Sequence, residues 1–442
     1  MAIDSERISR RGFLRGLGAA GAGALVAGGL SGGLAGASEQ SRSVRSGRVF
    51  KSPRGTPIVI GGGVPVTGSF AGTGLEMRRG MQLAVDKLNS EGGVLGRPLK
   101  LSILNTETQQ PTVMRSVFQK FVSDKVAAVF APFTTYSSVE YPIVADAKVP
   151  TFHVNTYQGN IDWVKQHGVK NIFQGDPSQI WYGPGVATLM ENLISSGAWT
   201  PIAKTMAIIT SNDPYSLSIA KSFEATMKNK GWGTTMFQEF TIPQSDYTAE
   251  LVSIRKTPPG VIFFSDYTPG DEAAFIKQFR QAPTKSLVYE QYAPSVPQYL
   301  TLAGSAANGV LWSTVVGVLE GTPVSKAFEK EFHRTFHATP GHSNAGDQFD
   351  LVQIWARAVE QAGDPYDFTA VSAIVKTTIY RGVCGTYSWP DDYLTCYPYP
   401  TYTKFPTLGM PHLTYQIQNG KQVLISPEPF NVGKYETPPW LA

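Results

Sequence analysis

Polar and aromatic side chains gather in five segments that follow predicted strands, and their types suit the binding of a small polar molecule. These segments span residues 67–74, 132–142, 153–160, 211–216 and 265–272. Their hydroxyls, amides and tyrosines can hold a ligand by neutral hydrogen bonds between aromatic walls. Because ligands of open α/β sheets lie beyond the carboxyl ends of the strands, we expect these segments to form the binding site.

Catalytic patterns are weaker than this binding pattern. His333 and His337 are four residues apart and His342 follows, but the residues between the first two include no glutamate, which zinc hydrolases place there. The glycine-rich stretch 61–74 lacks the spacing of a phosphate-binding loop. We therefore predict a binding protein without a metal or other cofactor, and a metal-dependent hydrolase stays as the less favoured alternative.

The first 37 residues have the layout of an export signal. Arg10 and Arg11 precede an uncharged, Gly/Ala-rich run at 16–37, and the small residues that end at Ala37 predict cleavage there. The segment around the arginine pair resembles the twin-arginine motif, which implies a twin-arginine translocase as the partner during export. We expect residues 38–56 to be a flexible leader and the mature protein to be periplasmic.

Charge and length narrow the function classes. The 442 residues include 38 Lys and Arg against 34 Asp and Glu, a formal net charge of +4. This near balance argues against nucleic acid or an anionic membrane as a partner, because both need clustered basic surface. The chain is long enough for two domains.

Two cysteines stand in an aromatic, proline-rich stretch. Cys384 and Cys396 are twelve positions apart. Since exported proteins seldom keep free thiols, we predict a disulfide between them, and two free buried thiols stay as the alternative.

Strand and helix patterns alternate along two stretches of the chain. In the first, residues 75–93 have apolar side chains at helical spacing and end at paired glycines, while 126–132 form a continuous apolar strand. The second stretch starts after Asp176 and repeats this order through residue 282. Such alternation predicts βαβ units, so the fold class is α/β with two doubly wound parallel-sheet lobes.

Helices and a hairpin are predicted beyond these stretches. The helical patterns lie near 323–337, 344–362 and 368–378, and Asn419-Gly420 joins two alternating runs.

Several motifs together resemble the type I periplasmic solute-binding proteins of ABC importers, in the subgroup that binds branched-chain amino acids, amides and urea. They are a T-G-x-x-A-x-x-G loop at 67–74, an N-x-x-G-G-V-x-G-R-x-L stretch at 89–99, and the segments 127–152 and 260–282. The resemblance covers residues 57–430. It implies a small-molecule ligand in a cleft between two lobes, closure of the lobes around it, and delivery to an ABC permease in the inner membrane.

The resemblance also implies that three chain crossings join the lobes. We expect these crossings near 174–178, 312–316 and 381–385. Lobe 1 would then comprise 57–175 with 314–383, and lobe 2 would comprise 176–313 with 384–442.

Matching positions imply which side chains meet the ligand. From lobe 1 they are Ser69, Phe70, Thr134, Thr135, Tyr136, Asn155 and Thr156. From lobe 2 they are Asp213, Tyr215, Asp266, Tyr267 and Glu272. The loop with Thr134 and Thr135 matches one that receives a ligand carboxylate or carbonyl, whereas the stretch from Asp266 to Glu272 matches one that meets a ligand ammonium.

Some features leave the ligand and the role open. Tyr136 and Glu140 are bulky or charged where the family usually has small residues, so a larger or differently charged ligand stays possible. Asp271 or Glu272 can instead stabilise the start of the predicted helix there. A sensory amide-binding protein on the same fold is the alternative to a transport component.

Overall fold

Alternating strands and helices build lobe 1 in a computed structural model that describes residues 52–68, 70–133 and 139–442. The elements are β1 (Ile58–Val64), α1 (Ala71–Ser90), β2 (Leu99–Asn105), α2 (Pro111–Ser123), β3 (Val129–Ala131), α3 (Tyr141–Asp146), β4 (Thr151–His153), α4 (Gln158–Gln166) and β5 (Ile172–Gln174). The five strands are parallel in the order β2-β1-β3-β4-β5.

The same alternation continues in lobe 2. Its elements are α5 (Tyr182–Ser195), β6 (Thr205–Ser211), α6 (Pro214–Asn229), β7 (Gly233–Phe240), α7 (Thr248–Lys256), β8 (Val261–Ser265), α8 (Pro269–Phe279), β9 (Leu287–Glu290), α9 (Pro297–Ala303) and β10 (Leu311–Thr314). Phe263 and Phe264 of β8 lie in different buried clusters, so this sheet has an apolar core on each face. Such burial is typical of parallel strands with both faces covered.

The C-terminal part returns to lobe 1 before it ends in lobe 2. Its elements are α10 (Pro323–Phe336), α11 (Asn344–Ala362), α12 (Phe368–Thr377), β11 (Tyr380–Arg381), β12 (Thr386–Tyr387), β13 (Pro398–Tyr399), β14 (Met410–Pro411), β15 (Leu413–Gln418) and β16 (Lys421–Ser426). The α11 helix packs closely on α1, since a Cβ at Gly80 would lie 2.1 Å from the Ala345 carbonyl oxygen.

The last two strands complete the larger sheet as an antiparallel hairpin. Its strand order is β16-β15-β10-β9-β8-β6-β7. Asn419 and Gly420 both have positive φ, 51° and 74°, as the favoured two-residue hairpin turn requires. The predicted hairpin and the α/β fold class are confirmed.

One predicted lobe boundary is wrong. Cys384, Trp389 and Met410 belong to the core of lobe 1, and the chain joins the core of lobe 2 only at Leu413. The third crossing is therefore at 411–412 rather than at 381–385. Aromatic side chains in this segment suit either core, and only the packing decides which core buries them.

The other two crossings lie where the buried clusters change. Phe173 belongs to the core of lobe 1 and Tyr182 to a core of lobe 2, so the first crossing spans 174–181. Val315 and Leu319 belong to cores of lobe 2, whereas Val316 and Val318 belong to the core of lobe 1, so the second crossing spans 315–319.

The two cysteines are free and buried in the structure, which contradicts the predicted disulfide. Cys384 Sγ packs against α11, where a Cβ at Gly346 would approach it to 2.8 Å. Burial raises the pKa of the Cys384 and Cys396 thiols, which makes them poor nucleophiles. Sequence spacing cannot fix the close Cβ–Cβ approach that a disulfide needs.

The predicted signal peptide, with Arg10, Arg11 and Ala37, lies outside the described residues, as does the leader up to residue 51. None of the helices in the described part of the chain has the length and hydrophobicity that crossing a bilayer requires.

Candidate functional site

Aromatic side chains brace the three crossings against one another. The Tyr182 hydroxyl accepts a hydrogen bond from the backbone N–H of Val315 (3.2 Å), and its ring lies edge-on to His412 at a centroid distance of 5.3 Å. His412 Nε2 is 2.9 Å from the Ser313 hydroxyl oxygen. Tyr182, which follows the first crossing, therefore ties it to the other two.

On lobe 1, Asn155 and Thr156 follow β4 and are buried. Asn155 Oδ1 accepts a hydrogen bond from the Tyr157 N–H (3.1 Å), whereas its Nδ2 has no partner among the described residues. The Thr156 carbonyl accepts from the Gln179 N–H (2.8 Å), which ties this loop to the first crossing. The loop thus holds the Asn155 amide in place and leaves the two hydrogens of its Nδ2 for a ligand.

His153, at the end of β4, holds this loop in place. Its Nδ1 accepts a hydrogen bond from the Asn155 N–H (3.2 Å), and its Nε2 lies 3.0 Å from the Tyr141 hydroxyl. Burial lowers the pKa of His153 to about 3, so the ring is neutral at physiological pH and acts as a positioning group.

Phe70 directly precedes α1 in lobe 1, and its ring contacts lobe 2. Its ring lies edge-on to Phe133 at 5.5 Å and 6.0 Å from Tyr267 of lobe 2. These rings therefore form a wall that spans the cleft. The other residues expected in the loops of lobe 1, Ser69, Thr134, Thr135 and Tyr136, lie outside the described residues.

On lobe 2, Asp213 serves the fold rather than the cleft. Its Oδ1 accepts hydrogen bonds from the N–H groups of Tyr215 (2.9 Å) and Ser216 (3.1 Å) at the start of α6. Its Oδ2 accepts from the Ser211 hydroxyl (2.6 Å). Since both oxygens have partners, Asp213 is a helix cap, and its neighbour Tyr215 faces Tyr267 at 5.8 Å.

Asp266 differs from Asp213 although both follow strands of the same sheet. It is fully buried, and Oδ1 lies 3.0 Å from the oxygen of the Ser211 hydroxyl, whose single hydrogen is shared with Asp213. Oδ2 has no partner in the part of the chain that the structure describes. Burial raises the pKa of Asp266. The carboxylate is therefore one that a ligand donor would stabilise.

The two acids of the first turn of α8 have different surroundings. Asp271 Oδ2 accepts a hydrogen bond from the Gln244 N–H (2.8 Å), which gives it a structural role. Glu272 is fully buried, and its carboxyl group is close enough to that of Glu290 for the two to repel each other. Burial first and the Glu290 carboxylate second raise the pKa of Glu272.

Tyr292 was not identified from the sequence, although it links the lobes directly. It follows β9 with a φ of 70°, in the left-handed region that non-glycine residues seldom adopt. Its hydroxyl donates to Asn344 Oδ1 (3.2 Å) and lies 3.3 Å from the Ser343 hydroxyl at the start of α11. The signal was available, because Tyr292 also follows a strand of the parallel sheet.

The three crossings together form the hinge between the lobes. Two buried acids near this hinge were also not identified from the sequence. Asp176 lies in the first crossing and Asp347 in the first turn of α11, with exposures of 0% and 1%. Both Asp176 oxygens and Asp347 Oδ1 are without hydrogen-bond partners within the described ranges. The sequence did not single out either residue as a candidate, because acids are common in turns and at helix starts.

A sequence model described as "Periplasmic binding protein" matches residues 57–393. The chain belongs to the periplasmic binding protein family. Among curated relatives, the Leu/Ile/Val-binding protein BraC3 of Rhizobium johnstonii is 22% identical over 72% of this chain and 83% of its own. The leucine-, isoleucine-, valine-, threonine- and alanine-binding protein of Pseudomonas aeruginosa is 22% identical over 68% and 77%.

Solved structures agree with this assignment. A putative branched-chain amino acid ABC transporter from Silicibacter pomeroyi is 32% identical, covers 87% of this periplasmic binding protein and 100% of its own chain, and has a TM-score of 0.82. LivJ from Streptococcus pneumoniae, solved with isoleucine, shares the fold at 21% identity and a TM-score of 0.69, covering 84% and 100%. The matched family and relatives are solute-binding proteins rather than enzymes, which confirms the prediction of a binding protein.

The histidines of this periplasmic binding protein do not form a metal centre. His333 and His337 are exposed, and His342 packs against Tyr415 at a centroid distance of 4.9 Å. Among the described residues, no group of three or more His, Cys, Asp or Glu side chains can hold a metal ion. The hydrolase alternative therefore has no support in the described structure.

Proposed function

We propose that this protein is the substrate-binding component of an ABC importer and captures a small polar metabolite by closure of its lobes. One observation carries the proposal. Asn155 Nδ2, at the carboxyl end of β4, and Asp266 Oδ2, at the carboxyl end of β8, are buried without partners among the described residues. A ligand with an acceptor at one end and a donor at the other satisfies both, as the carboxylate and ammonium of an amino acid do.

Further contacts of the same ligand are proposed from position. The hydroxyls and N–H groups of Ser69, Thr134, Thr135, Tyr136 and Thr156 would receive its carboxylate or carbonyl. Phe70, Tyr215 and Tyr267 would form the aromatic wall, and Glu272 would add negative charge behind Asp266. Asp213 is not among the proposed ligand contacts, because its oxygens accept hydrogen bonds from Ser211, Tyr215 and Ser216 at the start of α6.

Closure follows from contacts that both lobes supply. The ring of Phe70 meets that of Tyr267, and the Tyr292 hydroxyl meets Asn344, so side chains of both lobes are in contact in the structure. A ligand that touches both lobes favours the closed state by its higher affinity for that state.

The first test is a ligand screen followed by a measurement of shape. Thermal-shift assays over amino acids, amides, urea and aromatic acids should find a ligand that raises the melting temperature. Small-angle scattering should then show compaction with that ligand. A tight ligand without compaction would contradict closure.

A matched pair of variants tests the site. Asp266→Asn should lower the affinity about tenfold or more, because a buried ionic partner of the ligand is lost. Asp271→Asn is the control, since that carboxylate holds the Gln244 backbone. Equal titrations for both variants by calorimetry would remove Asp266 from the site.

Export and partners belong to the same proposal. The Arg10-Arg11 pair would direct the protein through the twin-arginine translocase to the periplasm, where an ABC permease accepts the ligand. Replacement of both arginines by lysine should leave the precursor in the cytoplasmic fraction, and unchanged export would contradict this route.

A further inference from the structure

The buried charged side chains in the described part of this protein are all acidic. Nine acids are buried, whereas no lysine or arginine is buried among the described residues. The nine acids are Glu76, Glu140, Asp176, Asp266, Asp271, Glu272, Glu290, Asp347 and Asp350. Since buried charges are normally paired, the question is which of them have partners.

Some of these acids are satisfied by the fold. Asp350 accepts hydrogen bonds from the N–H groups of Val383 (2.9 Å) and Cys384 (3.0 Å) and from the Tyr387 hydroxyl (3.0 Å). Glu76 accepts from the Gly341 N–H (2.8 Å). Such acids need no further group.

Asp176 and Asp347, at the hinge, differ from these acids because each has at least one oxygen without a hydrogen-bond partner among the described residues. The first crossing packs on α11, because a Cβ at Gly175 would lie 2.8 Å from Leu351 Cδ2. Burial first and the Asp176 charge second raise the pKa of Asp347, as expected for two acids on these adjacent segments. Asp176 is also close to its neighbour Gln174, whose Nε2 donates to the Asp176 carbonyl (2.9 Å). Gln348, adjacent to Asp347, donates its Nε2 to the Ala131 carbonyl (3.2 Å).

The polar atoms left over around these two acids, the hinge cluster, are mostly acceptors. In the described part of the chain, unpartnered oxygens belong to Asp176, Asp347, Gln174, Gln179 and Gln348. The one unpartnered nitrogen among these side chains is Gln179 Nε2, which carries two hydrogens. All five side chains are at least nine-tenths buried. An ammonium supplies three donors and a guanidinium five, and neither has an acceptor, so a group of this class fits the cluster.

A chain of rings connects the hinge cluster with the cleft. Tyr182, on which the Asp176 charge also acts, lies 6.4 Å from Tyr215, which lies 5.8 Å from Tyr267 and, through it, near Phe70. An aliphatic chain packs well along such rings, and a cation is attracted to their faces.

We propose that the ligand carries a protonated amine or guanidine on an aliphatic chain, and that Asp176 and Asp347 receive this group at the hinge. The inference rests on the proposed capture of a small metabolite in the cleft, and it names the chemical class of that metabolite. Basic amino acids and aliphatic diamines share this chemistry. They differ in the carboxylate, which the loops of lobe 1 would bind.

The test compares ligands that differ by the distal amine. Calorimetric titration of the mature protein should give an affinity for lysine about 30-fold or more above that for norleucine, which has the same chain without the amine. Arginine and ornithine test other cationic ends, and putrescine tests whether the carboxylate is needed. Equal affinities for lysine and norleucine, as expected if water alone satisfies the hinge, would overturn the inference.

Variants assign the preference to the two acids. Asp176→Asn and Asp347→Asn should each reduce the preference for the amine about 30-fold. Asp350→Asn is the matched control, because it removes a buried acid three residues farther along the same helix that the fold already satisfies. Its preference for the amine should equal that of the wild type. An unchanged preference in both hinge variants would also overturn the inference.

The outcome also separates this inference from the proposed function. If leucine or isoleucine compacts the protein while lysine, arginine and putrescine do not bind, capture in the cleft stands and the hinge inference fails. If no ligand of any class compacts the protein, the proposed function itself fails.

Discussion

The first and second turns of α11 each carry a buried carboxylate, and the two carboxylates differ in their hydrogen-bond partners. Asp347, in the first turn, has an oxygen without a partner among the described residues, whereas Asp350, three residues later, accepts three hydrogen bonds. The first turn faces the hinge, and Asn344 at its start accepts a hydrogen bond from Tyr292 of the other lobe. The second turn faces the segment 383–387 of its own lobe.

We propose that this difference separates a role in stability, at Asp350, from a role in ligand binding, at Asp347. A buried acid with three donors holds neighbouring backbone in place, so its removal leaves unsatisfied donors. A buried acid without partners costs stability until a ligand supplies them, which is typical of binding sites. Substitutions in the two turns should therefore have opposite effects.

The largest effect is expected at Asp350. Asp350→Ala leaves the N–H groups of Val383 and Cys384 and the Tyr387 hydroxyl without their acceptor. We expect the free energy of unfolding to fall by about 3–5 kcal/mol. Urea denaturation followed by circular dichroism measures it. A loss below about 1 kcal/mol would show that this turn does not carry stability.

The opposite sign is expected at Asp347. Asp347→Asn removes a buried negative charge of which one oxygen has no partner among the described residues, and it keeps the shape of the side chain. The unliganded protein should therefore gain about 1–2 kcal/mol. The same denaturation experiment without ligand measures the change. A loss of stability instead would mean that the acid already has a structural partner.

The pH dependence should differ between the wild type and this variant. Burial raises the pKa of Asp176 and Asp347 above 3.8 in the folded state. The folded protein then binds more protons than the unfolded one, so the contribution of these acids to stability falls as the pH rises above about 4. Unfolding at pH 5 and pH 8 should show a smaller decline for Asp347→Asn than for the wild type. Identical declines would contradict the raised pKa of Asp347.

The smallest effect concerns the contact between lobes at the start of α11. Tyr292→Phe removes the hydroxyl that meets Ser343 and Asn344, so the closed state should lose about 1 kcal/mol and the ligand affinity about fivefold. Calorimetry with a ligand from the screen measures this. Tyr247→Phe is the control for closure, because the Tyr247 hydroxyl donates to the Gln244 carbonyl of its own lobe. Equal losses in both variants would mean that Tyr292 does not stabilise closure.

Much of the fold was predictable because it depends on local periodicity. The helices predicted at 344–362 and 323–337 match α11 and, within one residue, α10 (Pro323–Phe336). The third crossing was not predictable, since the segment with Trp389 suits either apolar core. The disulfide failed for a related reason, because two cysteines near in sequence need not have facing side chains.

The candidate site was predictable in part. The rule that ligands lie after the strands of a parallel sheet selected the segments 153–160 and 265–272, and the family resemblance selected Asn155 and Asp266 within them. The rule also covers Tyr292, which was overlooked, but it could not find Asp347, which lies on a helix. It also could not show that Asp213 caps α6, because that depends on the rotation of one side chain.

The sequence by itself determined the α/β class and the order of strands and helices, because apolar periodicity and turn residues act locally. Its motifs, such as those at 67–74 and 89–99, indicated the family by resemblance. Only the tertiary structure decided which buried acids have partners. Asp347 and Asp350 are the same residue type on one helix, and their difference arises from what distant segments bring to each side chain. Donors from 383–387 meet Asp350, whereas the hinge brings another acid toward Asp347.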